Sequence, residues 1–455
     1  MKRKITLKLQ EWKNSPRRQP LLIYGARQVG KTYVINAFGR DHYENIIYVN
    51  LETNLTVAAD FNKDISPRHI INCLEMFNKE KIVPGKTLIF FDEIQSCERA
   101  LTSLKYFCED APEYHIIAAG SLLGVAVNRE KFSFPVGKVD LLHLYPLDLE
   151  EFLWALEREP LAGEIRACYA RNEPLPAMLH DAALDLYKHY LIIGGMPAVI
   201  NEYCRDRHLL DAVNVQSLIV NTYIADMAKY ATPGETTRIM AAFQSIPAQL
   251  AKDNRKFQYK VIQRGGSATL FGAAIDWLCA AGLVIKCHKV AQGVVPLAVH
   301  QDFASFKLYM GDVGLLTLKS GMPPHNILTA LEDNNTFLGA ITENYAADQL
   351  RNNWPDLYYW DSAHTAEIDF ILQDQDQVIP VEVKAGVHTR SRSLALYRSK
   401  YAPPYVLRVS ARNFGFENGI KAVPLYAVFC IEPGSGCPQT LPLVGRDREG
   451  GRSVS

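Results

Sequence analysis

Short, largely apolar runs separated by amphipathic stretches mark the first third of the chain. Leu21–Tyr24 is such a run, and residues 46–51, 88–92 and 115–119 repeat the pattern. Runs of this length without alternation fit strands buried on both faces of a parallel sheet. Between them, residues 32–38, 70–77 and 100–107 carry apolar side chains at helical spacing. Strand alternating with helix predicts a doubly wound α/β core. From residue 149 to about 242 the strand signal disappears. Glu150 and Glu151 open a helical region that Pro160, Gly163, Pro174 and Pro176 break, with a sharp turn at Gly194, Gly195, Met196 and Pro197. Ser267 then stands as an N-cap and Gly282 as the stop of another helix. Residues 283–290 and 294–300 alternate around Gln292 and Gly293, which predicts a hairpin; helices followed by a hairpin suggest a winged helix-turn-helix. A helix over 339–350 and strands over 357–360, 366–372 and 378–384 predict a small α/β unit at the end.

The boundaries that follow are 1–150, 151–245, 246–330 and 331–431. Residues 1–20 read as a short basic amphipathic helix with Ile5, Leu7, Leu9 and Trp12, a solvated lead-in packed on the first strand. Residues 432–455 are rich in Gly, Pro, Ser and Arg, lack an apolar period and read as a disordered tail. No internal repeat is present.

The first strand runs directly into Gly25, Ala26, Arg27, Gln28, Val29, Gly30, Lys31 and Thr32, the P-loop spacing G-x-x-x-x-G-K-[ST]. Glycines at both ends let the backbone curl so that its N–H groups face phosphate oxygens. Lys31 brings a point charge to the β- and γ-phosphates, and the Thr32 hydroxyl can ligate Mg²⁺. The helix that starts here adds its N-terminal dipole. The same string before an ordinary helix would be only a Gly-bounded turn. A second apolar run, however, ends in Asp92 and Glu93, at the sheet edge where ligands bind in open α/β folds. Asp92 would hold Mg²⁺ through water and Glu93 would polarise the attacking water. Ser121, at the tip of the 115–119 strand, is placed to sense the γ-phosphate. No N-K-x-D string exists to read guanine, so ATP is preferred over GTP. Arg129 and Lys138 are candidates for a charge reaching the γ-phosphate, against a plain solvated role.

Composition changes this picture little. The chain is 48% hydrophobic and 22% charged, and 49 basic residues balance 49 acidic ones. Any nucleic-acid surface must therefore come from local asymmetry. The nine cysteines, Cys437 among them, include no C-x-x-C pair, which excludes a zinc ribbon and fits reduced cytosolic thiols. Cys279 and Cys287 beside His288 lack ligand spacing. The basic N-terminus has no apolar h-region, and the longest apolar stretch, 116–127, is too short to span a bilayer. A soluble, cytoplasmic protein without membrane attachment is expected.

A second candidate site lies near the end. Alternation puts Glu382 and Lys384 on one face of a strand, and a neighbouring strand carries Asp369. Two carboxylates offer hard oxygens to Mg²⁺, and a lysine beside them can position water. This is the D-x(n)-E-x-K arrangement of metal-dependent nucleases. Lys384, Arg390, Arg392, Arg398, Lys400, Arg408 and Arg412 form a run without any Asp or Glu, which suits a polyanion. The competing reading is a sheet surface with alternating charge and valine.

Together these motifs resemble a bacterial and archaeal family of AAA-like ATPases with a C-terminal domain of unknown function. The resemblance rests on Gly25 to Thr32, on Asp92 and Glu93 with Gln95, on Gly120 and Ser121, on Gly194 to Pro197, and on Glu367 and Asp369 with Glu382 and Lys384. It covers the chain to about residue 431. It implies a PD-(D/E)XK nuclease-like last part, with Glu343, Asp369, Glu382 and Lys384 on the active-site positions; Glu343 completes the ligand set or stands behind it. Where the family tends to have Gly-Arg after the sensor strand, this chain has Gly137 and Lys138, and lysine cannot reproduce a bidentate guanidinium grip. Two readings follow. One is an ATP- and Mg²⁺-dependent ATPase controlling a nuclease-like module on DNA or RNA. The other is an ATP-dependent signalling or scaffold switch whose nuclease-like fold has lost cleavage and binds protein partners; an oligomer or a protein partner is compatible with both.

Overall fold

The computed structural model describes residues 1–121, 135–253, 255–329, 336–362, 366–387 and 392–435. Arg129, Arg390, Cys437 and all but the first residues of the expected tail lie outside them. The N-terminal sheet holds β1 (Leu21–Tyr24), β2 (Asn45–Asn50), β3 (Thr87–Asp92), β4 (His115–Gly120) and β5 (Asp140–His143). Its order is β2-β3-β4-β1-β5 and every pair is parallel. At its centre β3 and β4 are buried at every position, as their unbroken apolar runs require. The edge strand β5 was not expected. Its residues are half-buried or exposed, and with Asp140 and His143 at its ends it carries no apolar signature.

Helices α1 (Ile5–Asn14) and α2 (Lys31–His42) cover one face of this sheet. On the other lie α3 (Leu55–Lys63), α4 (Pro67–Asn78) and α5 (Glu98–Asp110), through Phe61, Leu74 and Leu104. The N-terminal residues depart from a solvated lead-in. Arg3 is buried and donates to Glu151 Oε1 at 3.1 Å, Val29 O at 3.0 Å and Tyr145 O at 2.7 Å. A guanidinium taken out of water needs such acceptors, and three separate segments supply them.

The middle is helical: α6 (Leu149–Ala155), α7 (Glu159–Arg171), α8 (Ala177–Ile193), α9 (Pro197–Asp206), α10 (Leu209–Tyr230), α11 (Pro233–Leu250), α12 (Tyr259–Ile262) and α13 (Ala268–Ala280). A capping box of Asp148 and Glu151 starts α6 where the boundary was placed. After β6 (Val284–Val290) the expected hairpin forms with a different second strand. Residues 294–300 are a loop ending in a 3₁₀ turn, Leu297–His300, because Pro296 has no N–H for a ladder. The partner is β7 (Gln301–Met310), with Val290 opposite Gln301 and Val284 opposite Met310.

Helices α14 (Val313–Ser320), α15 (Pro324–Thr329) and α16 (Thr336–Leu350) lead to β8 (Leu357–Asp361), β9 (Glu367–Asp374) and β10 (Gln377–Val383). Then come α17 (Arg392–Tyr401), β11 (Val406–Ser410), β12 (Gly415–Glu417) and β13 (Ile420–Pro424). All eight strands from β6 onward share one sheet, ordered β12-β13-β11-β10-β9-β8-β6-β7. The hairpin is joined to it by parallel pairing of Cys287 with Leu357 and Val290 with Trp360. One core runs from Phe38 through Tyr187 and Ile246 to Tyr345, Val381 and Leu407, so α16 packs on one face of the sheet. Leu394 and Tyr397 of α17 pack on the other. Among the described residues no helix is long and apolar enough to cross a membrane.

Candidate functional site

The P-loop spans β1 and α2 and is held from outside by backbone. Gly25 has φ +153°, and a Cβ there would lie 2.1 Å from Leu144 O. Gly30 turns into α2 at φ +92°. The chain at both points is open only to glycine. Lys31, the first residue of α2, is buried and donates to Gly25 O at 3.0 Å and Ala26 O at 2.8 Å. Burial pushes its pKa down to about 8, against the opposing charges of Glu93 and Asp92. A buried ammonium resting on neutral carbonyls is poised for an anion.

The acidic strand meets this loop from β3. Thr32 Oγ1 donates to Asp92 Oδ2 at 2.8 Å, and Tyr48 OH donates to the same oxygen at 3.2 Å. Burial raises the Asp92 pKa. A hydroxyl and a carboxylate in contact form a hard-oxygen pair, so the residues present fit Mg²⁺, directly or through water. Glu93 follows β3 in the left-handed region, φ +50°. Its Oε2 accepts from Gln95 Nε2 at 2.5 Å and from Ser121 Oγ at 3.2 Å. The β4 tip therefore touches the candidate base itself.

Arg27 points away from the loop. It pairs with Asp226 of α10 and lies 3.9 Å from Glu52, which Lys229 also holds at 2.6 Å. Tyr223 OH donates to Arg27 O at 3.0 Å, a second tie between the loop and α10. Ala26, Gln28 and Val29 complete the loop; Val29 is fully buried and Gln28 has φ +68°. Gln28, Gly30, Tyr33, Arg3, Leu147 and Pro197 line a cavity of about 420 Å³ beside it. The Gly194–Gly195 turn sets Pro197 there. A Cβ on Gly194 would meet Asp312 Oδ1 at 2.3 Å and one on Gly195 would meet Leu147 O at 2.0 Å, while Gly195 N donates to Asp312 Oδ2 at 2.6 Å.

Lys138 does not face the phosphate loop. Its ammonium pairs with Glu109 of α5 at 2.9 Å. Arg3, Tyr48 and the α9 wall were missed by sequence reasoning; a basic residue in an N-terminal lead-in gives no signal that it will be buried.

In the C-terminal sheet the expected acids do not gather into one ligand set. Glu343 of α16 is 1% exposed and is paired with Arg255, with Lys307 Nζ at 2.8 Å and with Tyr309 OH at 2.5 Å. Lys307, itself fully buried, also contacts Glu367 Oε1 at 2.5 Å. Val381 and Val383 pack with the α16 core, so Glu382 between them points to the opposite face. There it lies 3.4 Å from Lys384 Nζ and 3.6 Å from Arg408 Nε, its direct neighbour across β11. Its Oε2 accepts no hydrogen bond from a described residue. Asp369 Oδ2 accepts from Val383 N at 2.8 Å. The β9–β10 register sets Phe370 against Val381, which brings Asp369 alongside Glu382. Glu343, Asp369 and Glu382 nevertheless do not converge: among the described residues the one three-residue cluster of metal-ligating atoms is Asp60, His69 and Cys73. In this structure Glu343 stands as an ion-pair partner, with three donors on the α16 face around its carboxylate.

Family profiles match the chain in succession. An AAA domain covers residues 17–153, one domain of unknown function (DUF8612) covers 184–326 and another (DUF4143) covers 338–428. The AAA match falls on the parallel five-stranded sheet and the P-loop described above. The Walker-type ATPase of Pyrococcus abyssi is similar at 14% identity and TM-score 0.43, over 69% of this chain and 94% of that one. The ORC2 protein of Aeropyrum pernix, in its ADPNP–ADP complexes, is similar at 13% identity and TM-score 0.34, over 69% and 88%. The Aeropyrum pernix ORC1 protein in complex with DNA is similar at 12% identity and TM-score 0.28, over 71% and 92%. No curated protein matches the chain.

Proposed function

We propose that this AAA-like ATPase domain binds ATP with Mg²⁺ and hydrolyses it. The observation that carries the reading is the contact of Thr32 Oγ1 with Asp92 Oδ2 at 2.8 Å next to a buried Lys31 whose hydrogen-bond partners among the described residues are loop carbonyls. Lys31 leaves those carbonyls for the β- and γ-phosphates, and the amides of the loop take the remaining oxygens. Thr32 and Asp92 would hold Mg²⁺, which would supply charge neutralisation on the phosphates. Glu93 accepts the proton of the attacking water, and Ser121 fixes its carboxylate through the 3.2 Å hydrogen bond. The cavity between Tyr33 and Pro197 takes the adenine. Nucleotide binding to Lys31→Ala tests this: affinity is expected to fall by at least about 10², from the loss of charge-assisted hydrogen bonds to phosphate. Equal binding by the variant and the natural protein would dismiss the P-loop assignment.

A second reading adds a metal-dependent nuclease in the C-terminal unit, acting on DNA or RNA under control of the nucleotide state. What favours it is the buried Glu382, whose Oε2 has Arg408 Nε at 3.6 Å but accepts no hydrogen bond from a described residue, beside Lys384 and Asp369, with the exposed Arg392 and Arg412 near by in sequence. Asp369 and Glu382 would hold Mg²⁺ and Lys384 would orient water. The α13 helix and the β6–β7 hairpin would supply a winged-helix contact. Cleavage of single- and double-stranded DNA and RNA is expected from the natural protein in Mg²⁺ and not from Asp369→Ala. Equal background from both would leave the scaffold switch, with protein partners, as the role of this unit.

A further inference from the structure

Away from both sites, α3 and α4 cross on the outer face of the N-terminal sheet. His69 and Cys73 are one turn apart on α4, so both side chains leave the same face of that helix. His69 Nε2 lies 3.5 Å from Cys73 Sγ. Asp60, on α3, reaches the same point: one ligand atom from each of the three residues lies within 4.8 Å of the other two. All three are half-buried, reachable from water yet restricted in their rotamers. We propose that Asp60, His69 and Cys73 form a Zn²⁺ site that clamps α3 to α4.

The ligand chemistry selects the ion. A thiolate, an imidazole nitrogen and a carboxylate oxygen suit a borderline divalent cation, with Zn²⁺ or Co²⁺ favoured over Mg²⁺ or Ca²⁺. Three protein ligands leave a fourth tetrahedral position for water. A modest inward movement of the side chains brings the donors to bonding distance. Asp60 carries the Lys63 Nζ at 2.5 Å, an ion pair whose ammonium is exposed at the surface. The Cys73 S–H bond breaks, its proton goes to solvent, and a Zn–S bond forms without any change of oxidation state. Asp60 exchanges the exposed Lys63 ammonium for the metal, a surface pair that costs little to separate. Glu343 differs, because there the fold supplies a fully buried Lys307 and a half-buried Arg255. The clamp joins consecutive helices in the β2–β3 connection, the stretch that leads into Asp92.

The test uses the full-length protein, Co²⁺ as optical probe and Zn²⁺ as competitor. Co²⁺ should give a thiolate-to-cobalt charge-transfer band that Zn²⁺ displaces, and both Cys73→Ser and His69→Ala should lose it. Lys63→Ala should tighten Co²⁺ binding, since it releases Asp60; an unrelated thiol would not respond. Zn²⁺ should raise the thermal midpoint of the natural protein and leave that of Cys73→Ser unmoved. ATP hydrolysis by Cys73→Ser should match the natural protein, because the P-loop uses oxygen and nitrogen groups only. No band in the natural protein, or a band that persists in Cys73→Ser, would overturn the site while leaving the ATPase reading intact.

Discussion

Two of the buried lysines, Lys31 and Lys307, stand in opposite circumstances. Lys31 is 7% exposed and among the described residues donates to the carbonyls of Gly25 and Ala26, whereas Lys307 is fully buried between Glu343 at 2.8 Å and Glu367 at 2.5 Å. A buried cation whose direct partners are neutral dipoles, with Glu93 and Asp92 acting on it without a direct contact, keeps part of its desolvation penalty, and phosphate relieves it. A cation sandwiched by carboxylates is already compensated and has little to offer a ligand. The same contrast holds for the acids. Asp92 accepts from hydroxyls that can turn to a metal ion, while Glu343 is covered by Arg255, Lys307 and Tyr309. Residue type alone therefore does not distinguish a site from a strut; the charge already present around it does.

The sharpest break in this comparison is Glu93→Gln. Nucleotide should still bind, and turnover should fall about 10²–10⁴-fold, since the amide keeps the shape but cannot take a proton. A phosphate-release assay with parallel binding checks it, and unchanged turnover would move the base elsewhere. Next is Glu343→Gln. It leaves the buried Lys307 with Glu367 alone and takes the carboxylate from the half-buried Arg255, and removing one partner of a buried pair costs up to about 3–5 kcal/mol. Urea unfolding should report that loss while ATP affinity stays the same; an unchanged midpoint would return Glu343 to the pool of ligands.

The third is a pH effect on Lys31. Its folded pKa of about 8 lies below the 10.5 of an ordinary lysine, so between these values the unfolded chain binds more protons than the folded one. Its contribution to stability therefore rises with pH across that window. ATP favours the charged form and restores the proton. ATP affinity should accordingly be flat below about pH 8 and weaken above it, by up to about tenfold per pH unit. Calorimetry at successive pH values measures the slope, which Lys31→Arg should abolish. Smallest is Lys138→Ala: its ammonium sits on Glu109, so turnover should not change, and a loss of ATPase activity would reopen its role at the γ-phosphate.

What could be read without coordinates was whatever a few consecutive residues settle. Gly25 to Thr32 is a strand, a loop and a helix start in one stretch, and its backbone demands follow from the spacing of its glycines. The central strands β3 and β4 were legible because burial on both faces writes an unbroken apolar run. The Glu382–Lys384 pair was legible for a similar reason, since alternation along one strand needs no partner. The rest depends on pairs far apart in the chain. The β5 edge is a strand only because Leu21 to Tyr24 lie beside it. Arg3 is buried because Val29, Tyr145 and Glu151 surround it. The second strand of the hairpin was displaced to 301–310 because Pro296 cannot join a ladder. Glu343 became a strut through Arg255 and Lys307, 88 and 36 positions away in number, on segments that only the folded sheet brings together. Local geometry is encoded in spacing; which charges meet in the interior is settled by the tertiary fold, because Coulomb forces and desolvation act on distance in space and not along the chain.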